Sequence, residues 1–148
     1  MRIRAFRKQD APSVSSLIRR CLRTVNSKNY PPRVISFMCA HFTPKKLIEN
    51  AAKRKVVVAV EGNLIAGTAS VKDNVILTVF VDPRVHGKRI GTRLMQRVES
   101  IAKRQGYKSV KLPSSLTAVE FYKRLGYKGT VRKHEKNYGT TILMRKRL

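Results

Sequence analysis

A nearly continuous apolar stretch lies in the middle of the chain. Residues 75–81 read VILTVFV, in which β-branched and aromatic side chains predominate, and such a run is typical of a strand covered on both faces of a sheet. Asp82 and Pro83 end the strand, because proline cannot donate a hydrogen bond to a neighbouring strand. Beyond a short basic segment, apolar residues recur at helical spacing and predict an amphipathic helix. Its buried face comprises Ile90, Leu94, Val98 and Ile101.

Similar patterns predict the elements that precede this strand. Residues 2–7 alternate between basic and apolar side chains and predict a strand with one solvated face. Helical spacing and capping residues predict three helices, the first of them capped by Asp10. They span residues 10–25, 34–42 and 43–53. Short apolar runs bounded by turn residues predict two antiparallel strands, which span residues 56–60 and 64–71.

The elements after the long helix complete a mixed α/β pattern. Residues 108–112 predict a strand that returns parallel to the central one, and a helix is expected from Thr117, with the spacing of a capping box to Glu120, to Gly126. Residues 128–133 and 140–146 predict the last two strands. The fold class is therefore α/β, with a mixed, mostly antiparallel sheet of about seven strands, a central parallel pair and about four flanking helices.

The chain is strongly basic, and its charge is unevenly distributed. Its formal net charge is +25 at pH 7. Residues 1–55 carry +12, residues 56–100 carry +2 and residues 101–148 carry +11. Such a field attracts anions and repels cations. It indicates either a general solubilising charge or a role in binding phosphates or nucleic acid.

The remaining composition narrows the class of protein. A length of 148 residues predicts one domain over residues 1–148, large enough to fold without disulfides or a metal. Cys21 and Cys39 follow helical apolar patterns, and the three histidines are far apart, so no metal site is predicted. Without a hydrophobic signal core or a long apolar window, we expect a cytoplasmic protein that does not enter a membrane.

The segment between the central strand and the long helix has the features of an anion site. It holds Gly87 and Gly91, with Lys88, Arg89 and Arg93 among them. Free amides at a helix start, together with cationic side chains, favour phosphate binding. The spacing is neither G-x-x-x-x-G-K-S/T nor G-x-G-x-x-G. The structural alternative is a tight turn with a solvated basic face.

Two motifs resemble the GNAT superfamily of acyl-CoA-dependent N-acetyltransferases. HGKRIG at residues 86–91, after a strand ending in VFVDP, is similar to the Q/R-x-x-G-x-G/A pyrophosphate loop of that family. TAVEFYKRLGY at residues 117–127 is similar to its A-x-x-F-Y-x-x-L-G-Y/F helix. With the elements between them, the motifs cover roughly residues 75–128. The resemblance implies a GNAT-like fold and acetyl-CoA as cosubstrate.

The resemblance also implies a cosubstrate site. The pantetheine arm is expected along the backbone of Val79, Phe80 and Val81. The pyrophosphate is expected on the loop and helix start, which comprise His86, Gly87, Lys88, Arg89, Ile90, Gly91 and Thr92. His86 departs from the usual Gln or Arg, and Arg89 stands where the family most often has a glycine. Arg89 therefore either obstructs the amide cradle or grips a phosphate with its guanidinium.

The same resemblance implies a catalytic acid and an acceptor pocket. Tyr122 matches the tyrosine that donates a proton to the departing sulfur. Early helices flank the acceptor in this family, which makes Tyr30, Phe37, His41 and Phe42 candidates for the pocket; packing in the core is the alternative for each. No general base is identified, because the available carboxylates are assigned to other roles, and a water relay along the backbone is the alternative. These are Glu120 as a cap, Asp82 at a strand end and Asp73 in a turn.

The predicted function is an N-acetyltransferase. It would move an acetyl group from acetyl-CoA to a small-molecule or peptide amine by direct transfer in a ternary complex, as a monomer or homodimer. The alternative is a basic, nucleic-acid-associated protein with the same fold, which binds tRNA or ribosomal RNA through its flanks. That protein would acetylate an amine held there or be catalytically degenerate. Its binding would be led by phosphate contacts and would depend strongly on salt.

Overall fold

The computed structural model describes residues 1–85 and 88–148. The strands of this part are β1 Arg2–Ala5, β2 Lys55–Glu61, β3 Leu64–Lys72, β4 Val75–Val81, β5 Ser109–Ser115, β6 Lys128–Glu135 and β7 Gly139–Arg147. Its α-helices are α1 Ala11–Thr24, α2 Pro32–Ala40, α3 Pro44–Ala51, α4 Ile90–Arg104 and α5 Val119–Arg124. The described residues thus form seven strands and five α-helices, where about four were expected.

All seven strands belong to one mixed sheet. Their order is β1-β2-β3-β4-β5-β7-β6, and all neighbours are antiparallel except β4 and β5. This arrangement confirms the predicted α/β class with its central parallel pair. The pair is parallel because α4 carries the chain across the sheet from the end of β4 to the start of β5.

Helices cover the sheet on both faces, and alternation along β2 shows how. Val57 and Ala59 pack in the cluster that includes α4, whereas Val58 and Val60 pack in the cluster that includes α1, α2 and α3. Both faces of β2 are therefore buried, as its apolar sequence indicates. On β3, Gly67 lets α4 approach closely: an added Cβ would lie 2.8 Å from Leu94 Cδ1.

Three local predictions are corrected by the structure. Asp10 does not cap α1 with its side chain, because its carboxylate accepts from both Arg4 guanidinium nitrogens at 2.8 and 3.0 Å and from the Arg7 amide. The Thr117–Glu120 capping box does not form, since a 3-10 turn precedes α5 and the Thr117 hydroxyl donates to Asn29. The last two strands are longer than predicted, because their polar ends continue the hairpin.

A bulge in β4 bends the central strand. Thr68 pairs with Phe80 and Ser70 pairs with Leu77, so two residues of β4 stand opposite one of β3. Within the bulge Thr78 adopts φ +55°, a conformation that is rare for β-branched residues and costs about 1–3 kcal/mol. The Ser70 hydroxyl supports the bend by donating to the Leu77 carbonyl at 2.8 Å.

The bend separates β4 from β5. Val75 and Lys111 are the one residue pair that forms the parallel ladder, while β5 continues to pair with β7 along its whole length. From the bulge onward, the β5-facing edge of β4 is therefore open among the described residues. A wedge-shaped cleft opens between two adjacent strands in the centre of the sheet.

The outer edges of the sheet carry cations. Edge strand β1 contains Arg2 and Arg4, and edge strand β6 contains Lys128, Arg132 and Lys133. Seven of the eight residues of β6 are exposed. No described helix is long and apolar enough to cross a membrane.

Candidate active site

The cleft between β4 and β5 leads into a cavity of about 790 Å³. Its walls come from the bulge of β4, the start of α5, the α2–α3 corner and the β6–β7 hairpin. The cavity therefore joins the open strand edge to the predicted acceptor side. It brings together Val79, Phe80, Val81, Tyr122, Tyr30, His41 and Phe42 from the sequence-predicted residues.

The C-terminal half of β4 is partly buried, and its side chains pack on both faces of the sheet. Val79 and Val81 pack against the cluster that includes α4, and Phe80 packs against the cluster that includes α1, α2 and α3. The expected cover on both faces is therefore present but incomplete, since within β4 Ile76 alone is buried. The edge that faces β5 is open because the cleft replaces the neighbouring strand. An open edge of extended backbone can pair with an extended ligand as with another strand.

Arg89 precedes α4 in a backbone conformation that residues other than glycine rarely adopt. Arg89 adopts φ +53° and stands at the N-cap without capping the helix by its side chain. The first amides of a helix have no partner within it, so the backbone of residues 90–92 can face an anion. Lys88 forms an ion pair with Glu61 at 2.9 Å and is therefore engaged rather than free. His86 and Gly87 lie outside the described residues.

We expect two substitutions at Arg89 to separate its backbone role from its charge. Arg89→Gly removes the cation and relieves the left-handed strain, whereas Arg89→Ala removes the cation and keeps the strain. Both should weaken acetyl-CoA binding about tenfold if the guanidinium holds a phosphate. Only the glycine variant should gain about 0.5–1 kcal/mol in unfolding free energy. Calorimetric titration and urea unfolding measure the two effects.

The affinity of the two Arg89 variants decides between the alternatives left open by the sequence. Tighter binding by the glycine variant alone would mean that the strained backbone obstructs the cradle. Equal affinity in both variants and the parent chain would remove Arg89 from the site.

Gly91 and its neighbours lie in the first turn of α4. The side chain of Ile90 is buried in the core and Thr92 is partly exposed. A Cβ on Gly91 would lie 2.9 Å from Phe121 Cζ and 3.5 Å from Val81 Cγ2. The steric demand on Gly91 thus comes from α5 packing against the helix start, which the sequence pattern did not indicate.

Tyr122 lies at the inner wall of the cavity. It is 6 % exposed, and its ring packs edge-on against Phe121 and Tyr127 at centroid distances of 5.1 and 5.7 Å. Burial raises the pKa of Tyr122 well above its usual range, so the phenol stays protonated at neutral pH. Its position and protonation state suit a proton donor within the cleft.

Cys21 also reaches the cavity, although its helical pattern suggested a place away from both motifs. Its thiol donates to the Val81 carbonyl at 3.1 Å. Burial raises the pKa of Cys21 to about 11. Because the thiolate is the nucleophilic form, this cysteine is unreactive at neutral pH.

The carboxylates considered as bases are engaged elsewhere or lie outside the cavity wall. The Asp82 side chain is fully buried and binds Arg84 at 2.9 Å and Arg20 at 3.3 Å. The Arg84 hydrogen bond, opposed by burial, lowers the pKa of Asp82. Glu120 is exposed and pairs with Lys123, while Asp73 occupies the β3–β4 turn. Asp82 therefore fixes the exit of β4 as an anion.

Asp82→Asn is expected to lower the unfolding free energy by about 1–2 kcal/mol at pH 7, since one charge is lost from a partly solvated cluster. The folded-state pKa of Asp82 is lowered, so its contribution is present above the unfolded pKa of about 3.9 and disappears as pH falls through the folded value. Urea unfolding of both proteins at pH 7 and at pH 2–3 measures the difference, which should shrink in acid. Glu120→Gln is the exposed control; a pH-independent loss in Asp82→Asn would contradict the ionic explanation.

An aromatic cluster borders the cavity through His41 and Tyr138, whereas Phe37 packs against both and is not among the described residues that line the cavity. Phe37, His41 and Tyr138 have ring centroids 4.4–5.7 Å apart, and Phe42 packs edge-on against Phe80 at 5.8 Å. His41 Nδ1 donates to the Phe37 carbonyl at 2.9 Å. This hydrogen bond leaves Nε2 with the lone pair in the neutral ring.

Several residues of the cavity were not identified from the sequence. Tyr30, a pocket candidate from the sequence, is both buried and part of the wall; its hydroxyl donates to Thr140 O at 2.6 Å and accepts from Leu116 N at 2.9 Å. The wall also contains apolar side chains, and polar or charged residues that the sequence did not indicate, among them Lys46, Glu49, Asn50, Arg54, Thr78, Lys133, Glu135 and Tyr138. They come from segments far apart in the chain, so spacing gives no signal for them. No group of three metal-ligating side chains occurs within residues 1–85 and 88–148.

The sequence model described as "Acetyltransferase (GNAT) domain" matches residues 33–148. The chain belongs to the GNAT acetyltransferase family. It is also 37 % identical over 73 residues to an uncharacterized N-acetyltransferase of Methanocaldococcus jannaschii; the match covers 47 % of this chain and 32 % of that protein, about a third of its length.

Solved structures share the whole fold. A GNAT N-acetyltransferase from Rhodopseudomonas palustris superposes with a TM-score of 0.92 at 20 % identity, covering 99 % of this chain and 95 % of the other. The PaiA N-acetyltransferase of Thermoplasma acidophilum, solved in complex with coenzyme A, gives 0.84 at 19 % identity, with coverage of 99 % and 98 %. At these identities the likeness establishes the fold.

Proposed function

We propose that this chain transfers an acetyl group from acetyl-CoA to a small-molecule or peptide amine, by direct transfer in a ternary complex. The observation that carries the proposal is the open edge of β4 at Val79–Val81, which borders one cavity with the buried Tyr122 hydroxyl. The wedge fits an extended pantetheine arm, and the amides of residues 90–92 with Arg89 suit a pyrophosphate. Acetyl-CoA supplies the activated thioester.

Different residues of the chain bind the thioester, border the path of the amine and donate the proton in the proposed transfer. The β4 edge holds the thioester in the cleft, and the aromatic cluster of Phe37, His41 and Tyr138 borders the side from which the amine enters. As the amine nitrogen bonds to the carbonyl carbon and the carbon–sulfur bond breaks, Tyr122 gives its proton to sulfur. A thiol has a pKa of about 8.5, so proton donation by the less acidic phenol can be late or limited to a hydrogen bond. The main contribution of the protein is placement.

His41 is the proposed acceptor for the proton that leaves the amine. Its Nδ1 is committed to the Phe37 carbonyl, so Nε2 is the basic nitrogen, and the ring borders the cavity. Solvent can then remove the proton from His41 and restore that of Tyr122. The charged side chains that line the same cavity are Lys46, Glu49, Arg54, Lys133 and Glu135.

His41→Ala is expected to lower turnover about 10–100-fold with unchanged acetyl-CoA affinity, because the lost base acts in the chemical step. Added imidazole should restore part of the rate, because it can accept the proton in place of the lost ring. The matched control is His134→Ala, since His134 lies on β6 and hydrogen-bonds Thr140. Full activity of His41→Ala would exclude His41 as the base.

The proposed function is tested by incubating the purified protein with acetyl-CoA and a panel of amines and peptides while following thiol release. We expect acetylated product and no acetyl group retained on the unfolded protein, because the Cys21 thiol is protonated. Label retained on a cysteine would overturn direct transfer. Binding of acetyl-CoA without turnover on any amine, including aminoacyl-tRNA, would overturn the enzymatic assignment.

A further inference from the structure

A second cavity lies between α1 and α2. Its volume is about 520 Å³. Arg19 and Arg23 line it from α1, while the buried side chains of Ile35 and Cys39 line it from α2. Neither arginine is among the residues of the larger cleft. We call this cavity the α1–α2 groove.

The two arginines of the groove lack an anionic partner in the described part of the chain. They are four residues apart on one helix, so their like charges are neighbours and repel each other. Six of the eight acidic residues form ion pairs with other cations. In addition, Arg19 Nε is buried without an acceptor among the described residues. A buried donor of this kind calls for a partner.

The apolar part of the groove sets a second requirement for the ligand, beyond its negative charge. Tyr30, Ile35 and Cys39 are 6–7 % exposed and supply the ring, aliphatic and thiol part of the same wall. An inorganic anion would leave this surface uncovered, whereas an apolar chain attached to the anion would cover it. A guanidinium binds carboxylate and phosphate groups well because its donors match their oxygens.

We propose that the α1–α2 groove binds a small amphipathic anion, whose carboxylate or phosphate head lies on Arg19 and Arg23 and whose apolar group covers Ile35 and Cys39. The site is independent of the proposed acetyl transfer, since it requires neither acetyl-CoA nor the cleft. Tyr30 belongs to the walls of both cavities. A ligand in the groove therefore contacts a side chain whose hydroxyl also ties β7 to the β5–α5 junction.

Calorimetric titration of the full chain without acetyl-CoA tests the site. Octanoate and octyl phosphate carry both parts of the ligand and distinguish the two kinds of head; acetate and octanol carry one part each. We expect at least one of the two-part probes to bind at least about tenfold more tightly than either one-part probe. If octanol bound as tightly as both two-part probes, the role of the arginines would be overturned. If acetate bound as tightly as both, the role of the apolar residues Ile35 and Cys39 would be overturned.

Variants then separate the groove from the general positive field. Arg19→Gln with Arg23→Gln should weaken binding of the preferred probe by about tenfold or more. The control, Arg97→Gln with Arg104→Gln, removes two arginines from α4 and should change it less than about twofold, as distant surface charges are screened. Equal losses in the two double variants would overturn the proposal. Arg19→Lys keeps the charge and disturbs the fold least. If this variant bound the preferred probe with unchanged affinity, a contact between the probe and Arg19 Nε would be excluded.

Discussion

Replacing Tyr122 by phenylalanine is expected to lower the turnover number by about a hundredfold or more, with acetyl-CoA affinity changed by less than about twofold. In the proposed reaction the hydroxyl protonates the departing sulfur, and it acts mainly in the transition state. The ring packs against Phe121 and Tyr127, and phenylalanine keeps that packing, so the fold should survive. Single-turnover kinetics and calorimetric titration measure the two quantities.

The control for Tyr122 is Tyr107→Phe, which removes a phenol near Asp73, away from the cavity wall. It should leave turnover within about twofold, as expected of a side chain with no contact to substrate. Because burial raises the pKa of Tyr122, ionisation of this tyrosine should not limit the rate between pH 6 and about pH 10. Undiminished turnover in Tyr122→Phe would return the residue to the core.

Gly91→Val should abolish detectable acetyl-CoA binding and destabilise the fold by about 1–3 kcal/mol, the usual cost of overpacking. The added Cβ meets Phe121 at 2.9 Å, which pushes the start of α4 away from α5 and Val81. The amides of residues 90–92 would then move relative to the β4 edge. Thermal unfolding and calorimetric titration of Gly91→Ala and Gly91→Val provide a graded series.

A second substitution distinguishes two explanations for Gly91. Phe121→Ala makes room next to the helix start, so combining it with Gly91→Val should give less destabilisation than the sum of the single variants. If acetyl-CoA binding returns in the double variant, the damage came from packing against Phe121. If stability returns without binding, the valine side chain also blocks the phosphate path. Additive destabilisation would contradict the predicted contact.

The sheet could be predicted because its signals are local. β4, its exit at Asp82 and the helical face from Ile90 to Ile101 follow from apolar spacing, and the parallel pair follows from the strand–helix–strand order. The residues of β4 alone do not predict the bend, since Thr78 has a side chain that disfavours positive φ. Packing against β3 and the Ser70 hydrogen bond impose the conformation, and sequence spacing does not encode such tertiary support.

The residues of the candidate site also fall into a group that could be predicted before the structure and a group that could not. The resemblance to the family implied roles for Tyr122, Val79–Val81 and the start of α4, because these residues lie within or next to the two matched motifs. Glu49, Glu135 and Tyr138 reach the cavity from α3 and the β6–β7 hairpin, which the chain brings together through folding alone. Lys88, which was expected in the phosphate loop, forms an ion pair with Glu61, 27 residues away. Sequence spacing does not indicate this ion pair.

The basic edge strands bear on how copies of this chain behave in solution. An exposed strand edge can accept a strand from another molecule and start aggregation, and edge cations oppose this. Two copies that approached through β1 or β6 would bring Arg2 and Arg4, or Lys128, Arg132 and Lys133, against one another. Salt shortens the range of this repulsion from about 10 Å at 0.1 M to about 3 Å at 1 M. The positive charge thus opposes pairing of β1 and β6 with strands of other molecules. The inner edge of β4 remains accessible to an extended ligand narrow enough to enter the cleft.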